Sequence, residues 1–106
     1  MVYFIATPIG NLKDISLRAL EVLRGVDCIF CEDTRHSSKL LNHYEIKKPL
    51  YACHKFNERA AAEKLTELAR EGKEIAVITD AGTPVISDPG NLLAKALREN
   101  NVAFTL

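Results

Sequence analysis

A chain of 106 residues suits one domain and leaves no room for two. Its 14 Lys+Arg and 14 Asp+Glu cancel, which excludes the basic excess of a free-standing nucleic-acid binder. No apolar run nears the ~20 residues of a membrane span, MVYFIATPIGN lacks the basic start of a signal peptide, and three cysteines fit a reducing compartment better than a disulfide framework. The cytoplasm is therefore the expected location.

Short β-branched and aromatic runs alternate with helical patterns along the whole chain. Val2–Ala6 is a continuous apolar run of strand length. A helix is predicted over Ile15–Arg24, with Leu17, Leu20, Val22 and Leu23 as its apolar face and Gly25 where it stops. Asp27–Cys31 is the second strand. Thr34 can cap a helix that reaches about Tyr44. Pro49–Cys53 is a weaker third strand. Asn57 can cap the next helix, whose Ala61, Leu65, Leu68 and Ala69 share a face and which Gly72 ends. Glu74–Thr79 is the clearest strand. Asp88 and Pro89 start a helix through Leu92, Leu93, Ala96 and Leu97, and Val102–Leu106 is the last strand. Strands alternating with helices imply an α/β, Rossmann-like three-layer domain around a mostly parallel five-stranded sheet.

In such sheets ligands bind beyond the carboxyl ends of the strands, and the unusual polar residues of this chain collect there. The first four strands run into Thr7–Asn11, Glu32–His36, Cys53–Asn57 and Thr79–Gly90, whereas the opposite connections, such as Glu71–Lys73, are short and bland. Thr79–Gly90 (TDAGTPVISDPG) is the sharpest feature. It holds about a dozen residues where about 2–6 are usual. Gly82 and Gly90 permit close backbone approach to a ligand, and Pro84 and Pro89 stiffen the path. Gly10 belongs to no G-x-G-x-x-G, and no G-x-x-x-x-G-K-[ST] occurs, which disfavours a dinucleotide-binding oxidoreductase and a P-loop NTPase.

Glu32, Asp33, Arg35 and His36 cluster in five residues. They suit a polar wall for a substrate, with a carboxylate as base or orienter, or equally an acidic helix start. Cys28, Cys31, Cys53 and His54 would make four zinc ligands on paper. Residues three apart in a strand face opposite sides, so buried apolar cysteines are the better reading and no metal is expected. Lys47, Lys48, His54, Lys55 and Arg59 form a mildly basic patch, for which solvated surface is the default over RNA contact.

ATPIGNL at 6–12, EDTRHS at 32–37 and DAGTPVISDPG at 80–90 together resemble the N-terminal half of the ribosomal RNA small subunit methyltransferase I family. That family lies within the tetrapyrrole methylase-like, class III S-adenosylmethionine (SAM) methyltransferases. The resemblance runs end to end. It implies a two-domain enzyme, commonly a homodimer, that binds SAM between its domains. The implied reaction is methylation of the 2′-OH of a cytidine in small-subunit (16S) rRNA, with the rRNA or the assembled subunit as partner and no membrane. By that resemblance Pro8, Ile9 and Gly10, then Asp80, Gly82, Thr83, Pro84 and Ile86, line the SAM site. Thr83 stands where most of the wider class has an acid, which favours rRNA over a tetrapyrrole. Glu32, Asp33 and Arg35 are the candidates for catalytic, substrate-side roles, with Glu32 or Asp33 as base. The family continues past the fifth strand into a second domain, so residues 1–106 are expected to be the N-terminal domain and inactive alone. A tetrapyrrole (precorrin or uroporphyrinogen-type) methyltransferase domain and a non-catalytic dimerisation or RNA-docking domain are the alternatives.

Overall fold

Five strands lie side by side in the order β3-β2-β4-β1-β5, and every neighbouring pair is parallel. The strands are β1 (Val2–Ala6), β2 (Cys28–Cys31), β3 (Leu50–Ala52), β4 (Ile75–Thr79) and β5 (Phe104–Thr105). Three α-helices, α1 (Leu17–Gly25), α2 (Thr34–His43) and α3 (Glu58–Arg70), join the first four strands, and residues 95–99 are helical before β5. A 3-10 turn at Leu12–Asp14 precedes α1. The computed structural model describes residues 1–6, 12–53, 56–79, 95–100 and 102–105. The predicted helix start at Asp88 and Pro89 lies outside them.

The central strands are apolar throughout because both faces of the sheet are covered. Their side chains alternate between two cores. Val2, Phe4, Cys28, Phe30, Ile75 and Val77 pack on one face with Ala61, Ala62 and Leu65 of α3 and with Leu97. Ile5, Ile29, Cys31, Ala76 and Ile78 pack on the other with Leu20 and Leu23 of α1 and Leu40 and Leu41 of α2. Two connections step one way along the sheet and two step back. Right-handed crossovers then put α1 and α2 on one side, α3 and residues 95–99 on the other. The expected three-layer sandwich is the result.

Local chemistry fixes the helix ends. Ser16 caps α1, its Oγ accepting from the Ala19 amide at 3.0 Å. Ile15 before the cap and Leu20 share a core cluster, as in a hydrophobic staple. Helix α1 thus starts two residues later than its apolar pattern suggested. Gly25 is its last helical residue, and extended Val26 (φ −84°, ψ 164°) stops it. Both later helices close in Schellman turns. In α3 the Gly72 amide donates to Ala69 O and the Lys73 amide to Leu68 O, with Gly72 at φ 87°. In α2 the Glu45 amide donates to Asn42 O and the Ile46 amide to Leu41 O. There Glu45 takes the left-handed position, φ 57°, and buried Ile46 joins Leu41 in the core beneath.

Candidate functional site

Because all strands are parallel, their carboxyl ends share one edge of the sheet. Ala6 is in register with Thr79, and Cys31 is in register with both Ile78 and Ala52. The chain leaves β2 toward β3 and leaves β4 toward β5, in opposite directions. The switch point of the sheet therefore lies at this edge, between the ends of β2 and β4, where open α/β sheets take ligands in a crevice.

The candidate cofactor residues follow β1 and β4 in the sequence. Pro8, Ile9, Gly10, Asp80, Gly82, Thr83, Pro84 and Ile86 lie outside the described residues. The strand ends that precede them, Ala6 and Thr79, are neighbours in the sheet. His54 and Lys55 of the basic patch also lie outside.

Glu32, Asp33 and Arg35 stand together at the end of β2, with distinct tasks. Asp33, not the expected Thr34, caps α2. Its Oδ1 accepts from the Arg35 amide at 2.9 Å and the His36 amide at 3.4 Å. A carboxylate there also favours the helix dipole. Thr34 is instead the first helical residue. Arg35 is 93% exposed and its Nε lies 3.9 Å from Asp33 Oδ1, too far and too solvated to add much stability. Glu32 is exposed, and among the described residues no hydrogen bond or ion pair engages it. One turn into α2, Ser37 is buried with its Oγ unpaired, a signal that sequence pattern does not carry.

Asn57 precedes α3 as expected, yet its side chain makes no cap. Its Nδ2 donates to Ala52 O at 2.8 Å instead, tying the start of α3 to the end of β3. The cysteines divide as strand geometry requires. Cys28 packs in one core and Cys31 in the other, so the sheet itself separates them. All three cysteines are buried and none is in a disulfide. Among the described residues no three His, Cys, Asp or Glu side chains gather to hold a metal, and no helix there is long and apolar enough to cross a membrane.

Burial pushes the Cys53 thiol from 9.0 up to about 11, with the charges of Glu58 and Glu32 acting in the same direction. The folded chain keeps a proton that the unfolded chain releases near pH 9. The associated stability is complete below pH 9 and is lost as pH rises from about 9 to about 11, by about 2–3 kcal/mol. Urea midpoints at pH 8 and 11 are expected to fall less for Cys53→Ala than for the parent chain.

A concavity of about 1230 Å³ lies elsewhere. It runs along the flank of α3, between Phe56, Glu63, Arg70 and Asn100, and no candidate catalytic residue lines it.

The model of the family Tetrapyrrole (Corrin/Porphyrin) Methylases matches residues 1–106. The chain belongs to this family. Among curated relatives, the ribosomal RNA small subunit methyltransferase I of Mycoplasmopsis pulmonis is 54% identical over 101 residues, covering 95% of this chain and 46% of the relative. The protein of the same name from Haemophilus influenzae is 54% identical, covering 96% and 36%. The chain thus spans between about a third and a half of the relatives' length. Among solved structures, uroporphyrin-III-C-methyltransferase from Thermus thermophilus superposes with a TM-score of 0.75 at 25% identity, covering 97% of this chain and 44% of that one. Diphthine synthase superposes at 0.77 with 17% identity, covering 97% and 41%. Enzymes of different names therefore share this fold with the chain, and the fold alone does not select among them.

Proposed function

We propose that this chain is the N-terminal domain of a SAM-dependent methyltransferase that modifies a ribose 2′-OH of small-subunit rRNA, at a cytidine. The observation that carries the reading is 54% identity to proteins named ribosomal RNA small subunit methyltransferase I, over 95% of the chain. The edge geometry fits SAM. The segments that carry Gly10 and Gly82 begin at paired strand ends, Ala6 and Thr79, so two glycine-bearing backbones can approach one ligand. Pro8, Ile9, Gly10, Asp80, Gly82, Thr83, Pro84 and Ile86 are the residues assigned to hold it.

When bound, SAM would supply an electrophilic methyl group on a sulfonium, with the thioether as its leaving group. The task of this chain is to align that oxygen and take up its proton, since a hydroxyl is a poor nucleophile. Glu32 is assigned as the base, because its carboxylate is unengaged at the switch point. Asp33 is a positioning residue, since its oxygen already holds two backbone amides. Arg35 reaches from the same cap and suits a phosphate of the substrate. The second wall of the site is assigned to the portion that relatives carry beyond this match, so methyl transfer needs both portions. A homodimer working in the cytoplasm completes the reading.

The test is transfer of a tritiated methyl group from SAM to small ribosomal subunits, to naked rRNA and to uroporphyrinogen. A protein of the relatives' full length that carries this chain is assayed beside the 106-residue chain. Label in RNA that survives alkali as a dinucleotide marks ribose methylation, because the 2′-O-methyl blocks cleavage. Label in uroporphyrinogen alone would select the tetrapyrrole reading, and no SAM binding by the longer protein the non-catalytic one. Turnover by the short chain would refute its dependence on a second domain.

A further inference from the structure

The charge of this chain is balanced overall but not in space. Residues 34–48 carry four cations, Arg35, Lys39, Lys47 and Lys48, against the single anion Glu45, although the whole chain has no net charge. The segment builds α2 and its connection to β3. Its inward side chains are Ser37, Leu40 and Leu41. Arg35, Lys39 and Asn42 are spaced three and four apart on the outer side and are exposed. Beside them two grooves follow one another. The first, about 610 Å³, lies between Asp33, Arg35, Ser38 and Lys39. The second, about 480 Å³, lies between Ser38, Asn42, Lys47 and Lys48. Ser38 lines both, so one trough runs from Asp33, the residue after the candidate base, to the start of β3.

We propose that this trough is a docking surface for an RNA phosphate backbone, which leads the strand toward Glu32. The inference rests on the reading of the substrate as RNA. No ion pair among the described residues engages Lys39, Lys47 or Lys48, so their charge is available to an outside partner. Arg35, Ser38, Lys39, Asn42, Lys47 and Lys48 place hydrogen-bond donors along the trough, as phosphate oxygens require, with Leu41, Ile46, Pro49 and Leu50 among its lining at the β3 end. Among the described residues, the large exposed hydrophobic ones, Met1, Leu17 and Phe56, all lie outside it. A membrane surface would need such groups beside the cations. Helix α2 rises about 15 Å over its ten residues, enough to meet several phosphates. The basic patch of the sequence is thereby redrawn. Lys47 and Lys48 join Arg35 and Lys39, whereas Arg59 lines the separate concavity along α3.

The test uses the 106-residue chain and a fluorescein-labelled 20-nucleotide RNA hairpin, with anisotropy read at 50 and 200 mM KCl. The triple variant Lys39→Gln/Lys47→Gln/Lys48→Gln is expected to bind at least about tenfold more weakly at 50 mM KCl. Its slope of log affinity against log salt should fall by about two, since each lost contact removes roughly 0.7–0.9. The triple Arg18→Gln/Lys73→Gln/Lys95→Gln loses the same charge from other surfaces and should stay within about threefold of the parent. Both triples should melt within about 2 °C of it. Equal losses in the two triples, or no binding by the parent chain at 50 mM KCl, would overturn the docking surface. Methyl label appearing in RNA alongside such a result would leave the proposed function standing. Binding through this trough with label only in uroporphyrinogen would overturn the function instead.

Discussion

Under the proposed function, Glu32→Gln in a protein of the relatives' length that carries this chain is expected to slow methyl transfer to the small subunit by about a hundredfold or more, with SAM affinity kept within about threefold. The amide keeps the size of the side chain and its hydrogen bonding but cannot take the ribose proton, and a positioned base contributes about 10²–10⁴ in rate. Asp33 provides the contrast. Its Oδ1 is committed to the amides of Arg35 and His36, and Asn caps a helix about as well as Asp. Asp33→Asn should therefore retain turnover within about fivefold. Asp33→Ala should lose about 1 kcal/mol of stability with the cap. The measurement is single-turnover label transfer together with calorimetric SAM titration. The reverse pattern, with Asp33→Asn inactive and Glu32→Gln active, would exchange the two roles.

Phe30→Ala is expected to have the largest effect on stability, about 3–5 kcal/mol. Phe30 has no exposed surface and lies in β2, between β3 and β4. Its ring stacks on Tyr51 with centroids 5.0 Å apart, and it shares a core with Leu65 of α3. Truncation removes this contact and leaves a cavity where strand and helix meet. A domain of this size is stable by about 5–15 kcal/mol in total, so the loss is a large share of it. The urea midpoint should drop by about 2 M at unchanged slope. Tyr51→Ala, on the edge strand β3 and only half-buried, should cost clearly less. Equal losses for the two variants would show that Phe30 does not anchor the sheet to α3.

Much of this fold is legible in the sequence, for reasons that particular residues show. Val2–Ala6 and Ile75–Thr79 are strand-length runs with no polar interruption, which parallel strands covered on both faces require. Gly72 marks the end of α3 because its backbone takes a left-handed turn. The same turn after α2 falls on Glu45, which carries no such signal, so the mechanism there was hidden although the boundary near Tyr44 was not. The cap of α2 falls on Asp33, one residue before the expected Thr34. Asp33 and Thr34 are both good caps, and only the path of the chain leaving β2 decides which oxygen meets the free amides. Asn57 was assigned a local cap, but its amide reaches Ala52 instead.

By itself, then, the sequence determined the class of fold, the two-sided burial of the sheet and the polar segments of one edge. These are matters of composition and of periods of two and 3.6 residues, which are local. The strand order β3-β2-β4-β1-β5 was a tertiary decision, because it depends on which strands pair across long separations. That order sets the paired ends of β1 and β4 and the switch point beside β2. Tertiary structure also separated Glu32 from Asp33, by binding one carboxylate and leaving the other open. It assembled the trough along α2, since a chain with no net charge gives no sign of where its cations gather until a helix puts every third or fourth residue on one side.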